Sequence, residues 1–168
     1  MSRRAGAAGC SPTSAPGPYG PGIPEEIAIA SIRHEIVIDA RPETVWDAVR
    51  DVGAVHERLL PGRVLDTRIE GVERTLVFPH GGVVRELIVD VDDDARRLAY
   101  AVVEGARPPL AHHHAAFQVL PEGADRTRLV WTTDLLPDSA APEVRVRMER
   151  GAEEMRRTLE TAAGPGRP

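Results

Sequence analysis

Residues 141–162 place the tightest constraint on the fold. Val144, Met148, Gly151, Ala152, Met155 and Leu159 recur at helical spacing and give one apolar face to a helix of about six turns. Arg145, Arg147, Arg150, Arg156 and Arg157 alternate with Glu143, Glu149, Glu153, Glu154 and Glu160 over the rest of its surface. Pro142 sits near its start and Gly164 near its end, the usual asymmetry of helix termini. Such a helix is charged outside and must lay its other side on something apolar.

The segments before it supply that surface. Residues 31–39 alternate and are rich in β-branched side chains, which predicts a first strand. Arg41-Pro42-Glu43 opens a helix with the apolar stripe Val45, Trp46, Val49 and Val52, and a second short helix covers 54–60 up to Pro61-Gly62. Six further strands follow, over 63–70, 72–78, 83–91, 97–104, 112–120 and 127–135, separated by Gly, Pro and Asp turns. Asp92-Asp93-Asp94 is one of these turns, since it lacks the alternating ligands and closing glutamate of a calcium loop. The expected class is α+β: a curved antiparallel sheet of about seven strands around a long C-terminal helix, with two short helices after strand one. Its expected bounds are 25–163, between a Gly/Pro/Ser-rich tail at 1–24, which holds Cys10, and a short tail at 164–168.

A sheet and one helix leave a gap between them. With only 4% aromatic residues, either the packing is close or a cavity remains. Gly151 costs its helix about 1 kcal/mol relative to alanine. It is explained either by close helix–sheet contact or by room for a ligand.

Composition removes several kinds of chemistry. All 21 basic residues are arginine; there is no lysine and no asparagine. A P-loop lysine, a Schiff base and an enamine through a side-chain amine are excluded. The single cysteine excludes an internal disulfide and a multi-cysteine metal site. The net charge of −5 without a basic stripe argues against a nucleic-acid partner. No stretch approaches the roughly 18 apolar residues of a membrane span, and no apolar signal segment is seen, so a cytoplasmic location is expected. Neither a Gly-x-Ser-x-Gly elbow nor a dinucleotide-binding glycine turn is present.

Four stretches carry a resemblance to a known superfamily. They are Ile38-Asp39-Ala40-Arg41-Pro42-Glu43-Thr44-Val45-Trp46-Asp47-Ala48-Val49, Val83-Val84-Arg85-Glu86-Leu87 with Asp92, Leu98-Ala99-Tyr100, and Thr127-Arg128-Leu129-Val130-Trp131. With the element order, they resemble the SRPBCC (START-like, Bet v 1-like, helix-grip) superfamily over residues 30–162, most closely its polyketide cyclase/dehydrase and lipid-transport branch. The resemblance implies a deep apolar cavity between sheet and long helix and a small apolar ligand; no cofactor is expected. It implies no shared catalytic motif. As partners it leaves a small molecule and a chain that is monomer or homodimer.

Residue phase suggests which side chains face that cavity. In the run His112-His113-His114, His113 shares parity with Phe117 and Val119 and is expected inward, with the other two outward. A dedicated metal site would need a further ligand such as His34, His56 or His80, and no metal is expected. Leu129, Trp131, Thr133 and Leu135 share the inner face of the last strand, where Trp131 is either plain core or cavity wall. Tyr100, in phase with Leu98 and Val102, points its hydroxyl inward, with Glu86 or His113 as possible partners. One of Arg85 and Glu86 faces the interior. The stronger apolar run lies on the Arg85 side, and Glu86 is either an acid/base group in the cavity or half of a cross-strand ion pair with an arginine.

The candidate ligand-binding residues are therefore Tyr100, His113, Phe117, Trp131, Met148, Gly151 and Met155. The catalytic candidates are His113, Glu86 and Tyr100, acting without lysine or metal. The leading reading is a small hydrophobic ligand held in the manner of polyketide cyclase/dehydratase proteins. A non-catalytic carrier or sensor and a ligand-free interaction module are the alternatives.

Overall fold

The structure is a computed structural model that describes residues 28–164. The tail expected at 1–24, Cys10, and most of the tail expected at 164–168 lie outside the described residues. Seven strands form one antiparallel sheet: β1 Ala30–Ile38, β2 Asp66–Glu70, β3 Glu73–Val77, β4 Val83–Asp92, β5 Arg97–Glu104, β6 His112–Pro121 and β7 Thr127–Leu136. Their order in space is β1-β7-β6-β5-β4-β3-β2. The strands from β2 to β7 thus make a plain meander, and β1 closes onto the last strand with Ile32 opposite Thr133 and Ile36 opposite Leu129.

Between β1 and β2 lie α1, Pro42–Arg50, and a single π-helical turn, Val55–Leu59. Proline at the first turn and Glu43 beside it suit the start of α1, which buries Val45, Trp46, Ala48 and Val49. The triple-aspartate turn anchors this helix. The Trp46 indole donates to Asp93 at 2.9 Å and Arg50 pairs with Asp93 at 3.0 Å, while Asp92 accepts from the Ala95 amide within the turn.

The second strand starts later than its composition predicts. Residues 63–65 precede β2, and Arg63 instead reaches across to Glu154 on the long helix at 3.0 Å. That helix, α2, runs Ala141–Ala163 and buries Val144, Met148, Gly151, Ala152, Met155 and Leu159. Its outer face is laced by Arg147–Glu143, Arg156–Glu160 and Arg157–Glu153 pairs one turn apart. Exposed pairs of this kind contribute only about 0.3–0.5 kcal/mol each, so burial of the apolar face is what seats the helix. No helix among the described residues is long and apolar enough to cross a membrane.

Candidate functional site

The concave face of the sheet and α2 do not meet everywhere. Where they part, a cavity of about 210 Å³ remains, roofed by Val144, Met148, Gly151 and Met155 of α2 and closed at one side by Val55 and Leu59 of the π-helical turn. Its floor is the inner phase of the sheet. The floor is largely aromatic: the Phe117 and Trp131 ring centroids lie 4.8 Å apart, and Tyr100 stacks on Phe117 at 6.0 Å. With Phe78 added, four of the six aromatic side chains in the chain line this one space (the sequence holds 2 Trp, 2 Tyr and 2 Phe). A composition poor in aromatics is therefore no sign of a dense core here, because most of what exists is spent on a wall.

The seven ligand-binding candidates read from the sequence, Tyr100, His113, Phe117, Trp131, Met148, Gly151 and Met155, all border the cavity, as does Glu86. Gly151 combines its two explanations. A Cβ there would lie 3.3 Å from Trp131 Cζ3, so the helix does approach the sheet closely, yet both residues also border the cavity. Gly151→Ala is expected to gain helix propensity, about 1 kcal/mol, while nudging Trp131 into the cavity. Calorimetry should then show a midpoint higher by a few degrees together with weaker binding of apolar probes. A midpoint lowered by as much would show instead that the Trp131 ring is locked.

Several polar groups interrupt the apolar lining, and their environments differ. Glu86, not Arg85, faces in. Arg85 lies on the outer face between Glu73 and Glu104, alongside Val83, Leu87 and Val89, which stay 46%, 36% and 56% exposed. The longer apolar run of β4 is therefore the solvent-facing one. The ends of β3 and β5 decide this: their Leu76, Leu98 and Tyr100 point inward and bring Val84, Glu86 and Ile88 with them through the register Leu76 to Val84, Glu86 to Val102 and Ile88 to Tyr100.

Glu86 is 5% exposed and is paired with an arginine across the strands, the ion-pair alternative of its two sequence readings. Its Oε2 accepts from Nε of Arg74, directly opposite on β3, at 2.7 Å. Burial raises the Glu86 carboxyl above its usual range and Arg74 pulls against that. The Arg74 guanidinium lies 5.3 Å from the Tyr100 ring centroid, a cation–π contact in a dry setting. Burial first, and the Glu86 charge second, push the Tyr100 phenol above its ordinary value. Neither Glu86 nor His113 hydrogen-bonds the Tyr100 hydroxyl; the Trp131 side chain acts on that hydroxyl, and Arg74 stands over the ring.

His113 stands apart from that group, opposite Leu135 on β7. Burial, with the neighbouring His112 and His114 adding to it, pushes it down to about 4, so the ring is neutral near pH 7. Its Nδ1 and the Trp131 Nε1 are buried without hydrogen-bond partners among the described residues. Both side chains border the cavity, and polar atoms left unsatisfied in an otherwise apolar wall are a mark of ligand-binding sites. Among the described residues no three His, Cys, Asp or Glu side chains gather as a metal site.

Arg74 is the residue that sequence reasoning missed. Its signal was present: Arg74 is in phase with Leu76 and Phe78, a charge set among inward apolar residues. Arg63, Arg107 and Arg147 also border the cavity, at its more exposed side.

Residues 30–163, which build this sheet, helix and cavity, match a family model described as polyketide cyclase / dehydrase and lipid transport. The chain belongs to that family. Solved structures share the fold of this family member at low identity. The Zhui aromatase/cyclase from Streptomyces sp. R1128 superposes with a TM-score of 0.66 at 21% identity, covering 81% of this chain and 94% of its own. Norcoclaurine synthase from Thalictrum flavum, in complex with dopamine and hydroxybenzaldehyde, gives 0.66 at 18% identity, covering 92% and 100%. The di-domain aromatase/cyclase BexL of the BE-7585A biosynthetic pathway gives 0.71 at 17%, with 81% of this chain matched to 48% of that one. At these identities the likeness is one of fold. No curated protein matches the sequence.

Proposed function

We propose that this family member binds a small hydrophobic molecule in the cavity between the sheet and α2. The observation that carries the reading is the wall itself: stacked Tyr100, Phe117 and Trp131, with the unpartnered His113 Nδ1 and Trp131 Nε1 set among apolar side chains. Rings supply apolar area and a few polar atoms orient what is bound. The norcoclaurine synthase of the same fold, bound to two small aromatic molecules, supports the size class.

The cyclase/dehydratase-like chemistry of the family enters through Tyr100, His113 and Glu86. None of the three is poised for easy proton exchange at pH 7: His113 is a weak base at about 4, Tyr100 is held protonated, and Glu86 is tied to Arg74. The site favours holding and orienting a ligand, with polarisation by hydrogen bonds, over free acid–base catalysis.

Native mass spectrometry of the protein purified from its own host tests the binding claim. A co-purifying small apolar molecule, released by His113→Ala or Trp131→Ala, is the expected result. A cavity found empty in repeated preparations, with no uptake of small aromatic compounds, would overturn it.

A further inference from the structure

Arg74 has more donors than the fold uses. The side chain is 4% exposed, yet the only hydrogen bond it makes among the described residues is Nε to Glu86. A guanidinium carries five N–H groups, so the four on its two Nη atoms remain. These atoms are not among the sealed, unpartnered polar atoms of the interior, and Arg74 borders the cavity, so they look onto its open space. The guanidinium cannot swing away. Glu86 holds one edge and the Tyr100 ring lies against the group, 5.3 Å from centroid to Cζ.

Four N–H groups on the Arg74 Nη atoms stand against one Glu86 oxygen that makes no hydrogen bond among the described residues, so this wall is weighted toward donors and a ligand that satisfies it must bring an acceptor. The charge of that acceptor is limited as well. Glu86 already neutralises Arg74, and an anionic ligand oxygen on the Nη atoms would sit close to a buried carboxylate, a like-charge contact in a low-dielectric site. An uncharged oxygen avoids that repulsion and still receives a charge-assisted hydrogen bond.

We propose that Arg74, positioned by Glu86, anchors an uncharged carbonyl oxygen of the ligand on the buried wall of the cavity. This rests on the cavity-binding reading above and adds to it the functional group and the residue that selects it. Arg74 is then a specificity-determining residue and Glu86 a positioning residue.

The test compares three probes by titration calorimetry at pH 7: 2-acetylnaphthalene, 2-isopropenylnaphthalene, which replaces the carbonyl oxygen by a methylene, and 2-naphthoate. The native chain is expected to bind the ketone about tenfold or more tighter than its alkene counterpart, the fold-change of one hydrogen bond to a charged group, and tighter than the carboxylate. Arg74→Met combined with Glu86→Leu leaves no buried charge. It is expected to keep alkene binding and bring the ketone preference below about threefold. Glu86→Gln keeps the guanidinium but removes its countercharge, and should move the preference toward naphthoate. That shift is one a merely structural role for Glu86 would not produce. Equal binding of ketone and alkene by the native chain would overturn the proposal, as would a ketone preference that survives in the double variant. So would naphthoate binding tightest to the native chain. If none of the three binds, the cavity-binding reading itself has failed and this one falls with it.

Discussion

Arg74→Met is expected to destabilise the protein by about 3 kcal/mol at pH 7. The substitution is nearly neutral in volume, but it strands the Glu86 carboxyl, 5% exposed, without its countercharge. A buried carboxyl with no partner takes up a proton instead of remaining ionised. Holding it protonated at pH 7, against an ordinary value of 4.5, costs about 1.4 kcal/mol per pH unit of separation. The deficit should therefore shrink steadily as the pH is lowered toward 5, which a simple packing defect would not do. Adding Glu86→Leu should recover most of the loss, since a buried pair replaced by apolar side chains is often neutral or stabilising. Urea unfolding of the three proteins at pH 5 and 7 measures both effects. An Arg74→Met variant as stable as the native chain at pH 7 would show that the pair is not ionised.

The second large effect concerns acid. The folded His113 is pushed down to about 4 from an ordinary 6.5, so the unfolded chain takes up this proton first. The sign follows: the stabilisation from neutral His113 is complete above pH 6.5 and is lost as the pH falls through about 4. The loss amounts to up to about 3 kcal/mol. Glu86 has the opposite sign, because its folded value is raised and its contribution declines as pH rises through that value. The difference between the native chain and His113→Phe isolates the histidine. The native curve should fall more steeply between pH 6.5 and 4, and parallel curves would place His113 in water.

Much of the fold was legible because its signals are local. Alternation marked the strands, Pro42 and Pro142 marked the helix starts, and the stripe from Val144 to Leu159 marked the long helix. The phase rule also brought His113, Trp131 and Tyr100 to the inner face, since a strand sends alternate side chains to opposite sides. It could not choose between Arg85 and Glu86. The larger apolar set, Val83, Leu87 and Val89, pointed outward, and only the pairing with β3 and β5 settled which phase the sheet would bury. Arg74 was missed for a related reason. A charge in an apolar phase is informative only when its partner is known, and the register that sets Arg74 opposite Glu86 joins residues on different strands.

The absence of lysine kept its meaning throughout. Every buried or cavity-lining cation among the described residues is an arginine, permanently charged and planar, which suits fixed pairing such as Arg74 with Glu86, and the lack of lysine rules out side-chain amine chemistry. Sequence alone determined the element order, the apolar face of α2, the inward phase of β5 to β7 and the kinds of chemistry the chain lacks, because these depend on neighbours within one element. Tertiary structure alone decided that the sheet and α2 leave a gap, that an ion pair stands on its wall, and that the free edge of Arg74 looks into it. Those outcomes depend on distances between elements, set by register and packing across strands far apart in the chain.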